Sequence, residues 1–332
     1  MVLTFSIDSE AGMHRGVGQR GFADQLLDRR SARKERLRRI DALIDWLPVA
    51  ALLSGIHGQK TGRPGYPGLV LFKALLLQAW YGLSDPALEE ALDDTLSFRD
   101  FVGLSLEDAV PDHATLWRFR EELVKQGLSE RLFLEINRQL EAKGLMVKAG
   151  TLIDATLVEA QAKKPPLADG MGAKSKTDKD AAWTKKNGKA MFGYKAHIGA
   201  DRNSGLVRKA ILTPASTNES EVADRLIMGD EGAVYADKAY ENKVRRQRLK
   251  AAGIKDRIMH RSHKHQSGLP GWQKLRNALI APIRAGVEKI FGTWKRSYGY
   301  RRVRYFTLGR NEVQLHALCI AFNLKRAHVL AA

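Results

Sequence analysis

Cysteine is almost absent from the 332-residue chain: Cys319 is the only one. A single thiol excludes an intramolecular disulfide and a thiolate zinc site, and it is compatible with a reducing cytoplasm. Long hydrophobic runs are missing as well. The most apolar stretch, residues 68–83, is interrupted by Lys73 and Gln78 and is too short to cross a bilayer comfortably, so it predicts a buried helix and no membrane partner. The first residues contain early acids and no sustained apolar region, which argues against a signal peptide and for a cytoplasmic protein. Acidic residues are scarce beside basic ones, 37 against 55, leaving a formal charge of +18. Such an excess is the electrostatic footprint of a protein that meets phosphate, and it fits a nucleic-acid partner without establishing an enzyme. The length is sufficient for two modest domains with a sizeable core.

Three acids stand out by their surroundings. Asp154 in "TLIDAT" and Asp237 in "AVYADKAY" each follow a short apolar run that predicts a buried strand. Strand ends are where open α/β sheets collect their chemistry. Glu288 lies in 272–305, whose periodicity predicts a helix-like segment. There Arg284, Glu288 and Lys295 recur at i, i+4 and i+11, which places them within about 40° of one another on one face. The opposite stripe, Ile283, Val287, Ile290, Phe291 and Trp294, is apolar and predicts the face that seats on a core. On spacing alone, a solvated face with one Arg–Glu pair worth a few tenths of a kcal/mol explains the charged row at least as well as a functional role. The two aspartates change that balance. Three carboxylates gathered at one point raise one another's pKa unless a cation neutralises them, and hard oxygen donors suit Mg²⁺ or Mn²⁺ in a two-metal site for phosphodiester chemistry.

By composition the chain divides into a polar, then strongly basic arm or helix over 1–45, a helical region over 46–146 and an alternating region over 147–328. The fold class is therefore α/β (α+β) behind an all-α N-terminal part. Helices over 96–104 and 112–126, joined by a turn with Gly103 and Pro111, have the outline of a helix-turn-helix, with Asp112 as N-cap and Gly127 as stop. Such a motif presents His113, Thr115, Arg118 and Arg120 to the major groove, although any two packed helices share the outline. Trp117 and Phe119 read as core.

In the alternating region, residues 161–190 are basic and poor in large apolar side chains, the composition of a mobile loop, either a lid or a tolerated insertion. Two strands then flank "DRNSG", a β-hairpin whose turn chemistry accounts for Asp201 without function. His197 on the first of these strands reads as structural. Lys238 directly after Asp237 opens a helix, and nine Lys or Arg over 241–265 form a basic face suited to phosphate contacts. His260, His263 and His265 lack a companion acid or cysteine in their run and are assigned no metal.

Arg284, Glu288 and Lys295 match, in type and spacing, the glutamate region Tyr-x2-Arg-x3-Glu-x6-Lys of the DDE transposases of bacterial insertion sequences, in the insertion-sequence-five group. Ala281 stands at the Tyr position. The stretches from Trp183, "WTKKNGKAMFGYKAHIGADRNSGLV", and from Val110, "VPDHATLWRFREEL", resemble the same group, so the resemblance runs from about residue 60 to 325. It implies a ribonuclease H-like domain with a mixed sheet flanked by helices, in which Asp154 ends the first strand, Asp237 ends the fourth, and Glu288 sits on a later helix. It further implies a transposase that binds the ends of an insertion sequence, cleaves them and joins the 3′ hydroxyls to target DNA. Asp154, Asp237 and Glu288 would hold two Mg²⁺, with Mn²⁺ as substitute; Arg284 and Lys295 would grip phosphates of double-stranded DNA, with Lys238, Arg118 and Arg120 as further contacts. A homodimer or higher oligomer on DNA and a nucleoid-associated place in a bacterium complete the expectation. Two rivals stand beside it: a ribonuclease H-like nuclease that cuts without joining, and an inactive DNA-binding descendant.

Overall fold

The computed structural model describes residues 15–21, 32–56, 64–167, 171–186, 188–262 and 268–331. Much of the basic arm and both His263 and His265 lie outside the described residues. The chain divides into two compact units, 1–78 with 83–135, and 79–82 with 136–332.

Among the described residues seven helices precede the first strand: α1 (Ala32–Asp41), α2 (Trp46–Leu53), α3 (Gly68–Tyr81), α4 (Asp85–Asp94), α5 (Leu96–Val102), α6 (His113–Lys125) and α7 (Leu128–Ala142). Three of their starts are capped by side chains that satisfy otherwise orphan amides: Asp45 accepts from Leu47, Ser84 from Ala87, and Asp112 from the Thr115 N–H at 2.6 Å. α6 stops at Gly127, whose φ of 61° is the left-handed conformation that glycine adopts freely. The apolar stretch 68–83 forms α3. Its interrupting Lys73 is buried but not isolated, since Nζ donates to Asp41 at 2.6 Å and lies 4.5 Å from the centre of the Trp46 ring. No helix among the described residues is long and apolar enough to cross a membrane.

The pair expected as a helix-turn-helix exists as two helices, α5 and α6, each packed against α4. Buried Arg99 donates to the carbonyls of Leu92, Ser105, Leu106 and Asp108 and so ties down the turn between them. Two expectations on α6 are corrected. Its buried face runs Leu116, Phe119, Arg120 and Leu123, the i, i+3, i+4, i+7 stripe of a helix, which leaves Trp117 48% exposed and Arg118 outside. Arg120 is only 1% exposed, and its guanidinium grips the Asp85 carboxylate through two bonds of 2.8 and 3.2 Å. It fastens α6 to α4 and is not presented to a groove.

The second unit is built on one six-stranded sheet: β1 (Thr151–Glu159), β2 (Ala182–Lys186), β3 (Lys189–Asp201), β4 (Val207–Pro214), β5 (Ala233–Ala236) and β6 (Lys255–Ile258). β1, β3 and β4 form an antiparallel meander, with β2 paired to the first residues of β3. β5 lies parallel to β1 on its other side, and β6 parallel to β5. The main order β4–β3–β1–β5–β6, antiparallel then parallel, is the ribonuclease H-like arrangement. The crossovers are made by α8 (Glu219–Leu226) and by α9 (Lys243–Ala251). Ile153, Ile211, Val222, Leu226, Val234, Tyr240, Leu249 and Ile258 close the core on that side, each large aliphatic contributing roughly 1.5–3 kcal/mol.

The β3–β4 hairpin forms where "DRNSG" predicts it. Asp201 is fully buried, and its Oδ2 accepts from the Asn203 and Ser204 amides and the Ser204 hydroxyl, while Oδ1 accepts from the Lys148 amide. The turn and its anchor thus occupy this acid completely. The end of the expected 161–190 loop is a second hairpin instead: β2 and β3 run into a turn at Gly188, φ 79°, with Trp183 packed on Phe192 at 5.4 Å between ring centres. Upstream of it, Asp178 is buried and accepts from the Tyr194 hydroxyl at 2.6 Å, which pins that part of the loop to the sheet.

The segment 272–305 is also not one helix. α10 (Gly271–Arg284) ends at Ala285, α11 (Gly286–Ser297) begins at once, and the chain is irregular from Tyr298 to Thr307 before α12 (Leu308–Leu330). Pro282 removes an N–H from the last turn of α10, which favours the break. Gly286 then lets α11 start hard against the sheet, because a Cβ there would stand 3.1 Å from Leu152 Cδ1. Val287, Ile290, Phe291 and Trp294 are buried as the apolar stripe requires, while Ile283, in α10, is not.

Candidate active site

The sheet register brings two of the three acids together. Ile153 of β1 pairs with Ala236 of β5, and Asp154 and Asp237 follow directly on these two residues, at the point where the pairing of the two strands ends. Asp154 does not end its strand. It is the fourth of nine residues in β1, which continues to Glu159 because β3 keeps pairing with it as far as Gly193. What ends there is the pairing with β5. Asp237 follows directly on β5, the fifth strand in chain order because β2 precedes β3, and the fourth of the main sheet. Its Oδ1 accepts from the Lys238 amide at 2.6 Å and caps the 3₁₀ turn Lys238–Tyr240, where a regular helix is expected from the sequence.

Arg284 joins the first acid to the third. One guanidinium nitrogen, Nη1, donates to Asp154 Oδ2 at 2.8 Å and the other, Nη2, to Glu288 Oε1 at 2.8 Å. The two halves of this bridge differ in environment: the Arg284 and Asp154 side chains are 17% and 18% exposed, whereas Glu288 is 62% exposed. Burial pushes the Asp154 carboxyl above its ordinary value, the Ala155 amide and Arg284 pull it back, Glu219 pushes it up and Lys186 pulls it down. A half-sheltered carboxylate beside a second one needs positive charge, and Arg284 supplies it.

Among the described residues no three His, Cys, Asp or Glu side chains converge closely enough to cage an ion. The guanidinium stands between two of the acids concerned. The donor chemistry nevertheless suits a hard divalent cation: carboxylate oxygens throughout, two of them fixed by adjacent strands, the third on a solvent-facing side chain held by the arginine.

Cations gather alongside. Lys295, seven residues beyond Glu288 on α11, is half-buried, and its ammonium is held below its ordinary pKa by burial, then by Lys186 and Arg301. β2 delivers Lys186 to this position. The Arg301 backbone is tied to the end of β1 by the Glu159 amide at 3.0 Å, and its Nε donates to the Lys295 carbonyl at 3.2 Å. Lys238 is exposed beside Asp237, and Arg118 is exposed on α6 in the helical unit.

Sequence reasoning missed Lys186 and Arg301. An Asn-Gly dipeptide flanked by lysines is a hairpin signal that would have recovered Lys186. Nothing in the sequence marks Arg301, which meets the end of β1 from a segment far away in the chain.

Comparison with known proteins follows the same division. Residues 24–122 match the family described as a transposase domain (DUF772), and residues 146–324, over half of the chain, match the family described as a transposase DDE domain. Among solved structures, the cryo-EM structure of the piggyBac transposase synaptic complex with hairpin DNA aligns with 97% of this chain and 78% of that chain, at 11% identity and a TM-score of 0.43.

Proposed function

The chain belongs to the DDE transposases, and from that premise we propose that it binds the ends of an insertion sequence, hydrolyses a phosphodiester at each, and joins the exposed 3′ hydroxyls to target DNA. The finer assignment is to the insertion-sequence-five group, supported by the Arg284, Glu288 and Lys295 spacing. The observation that carries the reading is that Asp154 and Asp237 directly follow the paired Ile153 and Ala236 of neighbouring strands, with Arg284 linking Asp154 to Glu288.

Asp154, Asp237 and Glu288 would hold Mg²⁺ or Mn²⁺, and two such ions supply activation of the attacking oxygen and neutralisation of the leaving one. The protein's own part is positional and electrostatic. The adjacent strands fix two acids rigidly, and Glu288 closes the set from α11. Arg284 balances their charge in the free protein and is placed to turn to a phosphate when cations take over that task. Lys295, with Lys238 beside Asp237, holds phosphates next to the scissile bond; Arg118 is an exposed contact of the helical unit. Double-stranded DNA is the partner, and two ends handled together call for a homodimer or higher oligomer on DNA.

The test is cleavage of labelled DNA carrying the sequences that flank the gene, with Mg²⁺, Mn²⁺ or EDTA, and Glu288→Gln beside wild type. Metal-dependent nicks at two defined ends, followed by joined products and absent from the variant, are expected. Cleavage retained by Glu288→Gln overturns the site, and nicks without joined products replace the transposase by a nuclease.

A further inference from the structure

β3 outruns both of its long neighbours. Gly193 pairs with Glu159, the last residue of β1, and Tyr194 is the first residue of β3 to pair with β4, so residues 189–192 have only β2 beside them. The two strands therefore leave the sheet as a ribbon that turns at Gly188. A two-stranded ribbon is marginal by itself, and this one is braced at its base: Trp183 packs on Phe192, and the adjacent Tyr194 hydroxyl donates to buried Asp178.

The tip works against this stability. Lys186 stands directly opposite Lys189 in the register, Lys185 precedes them, and all three are exposed. Like charges directly opposite one another on paired strands are destabilising. No acid occurs between Asp180 and Asp201, so the sequence supplies no local counter-charge. The other edge of β1 is basic at the same level. The Glu159 amide donates to the Arg301 carbonyl at 3.0 Å and the Val303 amide to the Glu159 carbonyl at 2.8 Å, which lays exposed Arg301 and Arg302 alongside the last residue of β1. Glu159 itself is already matched, by Arg302 at 3.1 Å and Lys164 at 3.5 Å. Cations thus border the end of β1 on both sides.

This basic end lies in the direction in which β1 runs on from Asp154. Five residues lead from Asp154 to Glu159 and four from Gly193 to Lys189, so at about 3.3 Å per residue the tip stands up to about 30 Å from Asp154 along the sheet. Duplex DNA advances about 3.4 Å per base pair, which makes that reach about nine base pairs.

We propose that the β2–β3 ribbon, with Arg301 and Arg302 across the end of β1, is a grip for the backbone of duplex DNA, holding phosphates up to about nine base pairs from the bond that is cut. The proposal rests on the reading of the chain as a DNA transposase. A polyanion relieves the repulsion between Lys186 and Lys189, and lysine contacts to phosphate position a duplex without reading its sequence.

The experiment measures binding of the full chain to two labelled duplexes, in EDTA and over a series of salt concentrations, by fluorescence anisotropy. One duplex carries the sequences that flank the gene and the other is unrelated. Wild type is compared with the triple variant Lys185→Ala, Lys186→Ala, Lys189→Ala, with arginine at the same three positions, and with the single changes Lys186→Ala and Lys255→Ala. Lys255 is an exposed lysine that starts β6, at the opposite end of the sheet. The alanine triple is expected to weaken binding to both duplexes alike, by about tenfold or more, and to lower the slope of log affinity against log salt by about 3, one for each lost contact. The arginine triple keeps the wild-type slope. The unfolding midpoint of the alanine triple stays level or rises, because the repulsion at the tip is gone. Wild-type affinity and slope in the alanine triple, a loss confined to one duplex, a loss in Lys255→Ala equal to that in Lys186→Ala, or a lowered midpoint each overturns the grip. If the wild type binds neither duplex, the DNA reading falls with it; if the wild type binds and the alanine triple binds as tightly, the grip alone falls.

Discussion

Replacing Arg284 by alanine separates its two roles, because it strips the acids of their counter-charge and leaves their positions set by the sheet. In EDTA the loss strands Asp154, whose side chain is 18% exposed. Removing one partner of a fully buried ion pair costs about 3–5 kcal/mol, and partial solvent access brings this case down to about 2 kcal/mol. The link to Glu288, 62% exposed, adds only a few tenths. For a unit of this size each kcal/mol is worth about 2–4 °C, so the unfolding midpoint falls by about 4–8 °C. Mn²⁺ reverses the sign of the effect. A site that no longer contains a resident cation binds a divalent ion more tightly, and about 2 kcal/mol corresponds to roughly thirtyfold in affinity. Calorimetric titration with Mn²⁺, paired with thermal unfolding in EDTA and in saturating Mn²⁺, reads both quantities. The deficit seen in EDTA should shrink or vanish with metal. An unchanged or weaker Mn²⁺ affinity in Arg284→Ala, or an equal deficit in both conditions, refutes the idea that the guanidinium stands in for a cation.

Arg120→Ala leaves Asp85, 20% exposed and still bonded to Gln78, without its arginine and should destabilise the helical unit by about 2 kcal/mol; a loss below about 0.5 kcal/mol in urea unfolding contradicts the burial argument. The His197 ring is held down to about 3 by burial, then by Lys195 and Arg225, so the folded chain keeps it neutral while the unfolded chain takes up a proton below 6.5. Stability is therefore lost as pH falls through that window, by about 2 kcal/mol between pH 6.5 and 5 from this group alone. His197→Gln should flatten that part of the stability–pH curve, and an unaltered slope rejects the assignment. At Gly193 a Cβ would meet the Val158 carbonyl oxygen at 2.2 Å, backbone that cannot swing aside. Gly193→Ala should cost about 3 kcal/mol or more in urea unfolding, and a neutral result would mean that β1 and β3 are less tightly joined than described.

Much of this architecture was readable beforehand because local physics decided it. The apolar runs before Asp154 and Asp237, the "DRNSG" turn and the Asp112 cap each depend on residues a few positions apart, and each forms as expected, although β1 runs on past Asp154. The errors arose where a distant partner decided. β2 was hidden in a loop-like composition because its apolar support, Phe192, lies across a turn that the lysine-rich flanks obscured. Trp117 was assigned to the core on chemistry alone, while the helix face assigned it to solvent, and Arg120 went the opposite way because Asp85 awaited it. The bond from Arg284 to Asp154 spans 130 positions. The helical periodicity that pointed to Arg284 and Glu288 as a pair was silent about Asp154 as the third member.

The pairing of Ile153 with Ala236 makes the separation of the two aspartates a property of the sheet's own repeat. Everything between them in sequence, two hairpins and a helix, can lengthen or shorten without altering that distance, provided β1 and β5 keep their register. Insertions near residue 172, an exposed glycine with open space around it, should therefore be tolerated, whereas a one-residue slip of β5 would throw Asp237 to the wrong side and misalign the pair. The chain can vary its surroundings freely around a spacing that hydrogen-bond geometry keeps constant.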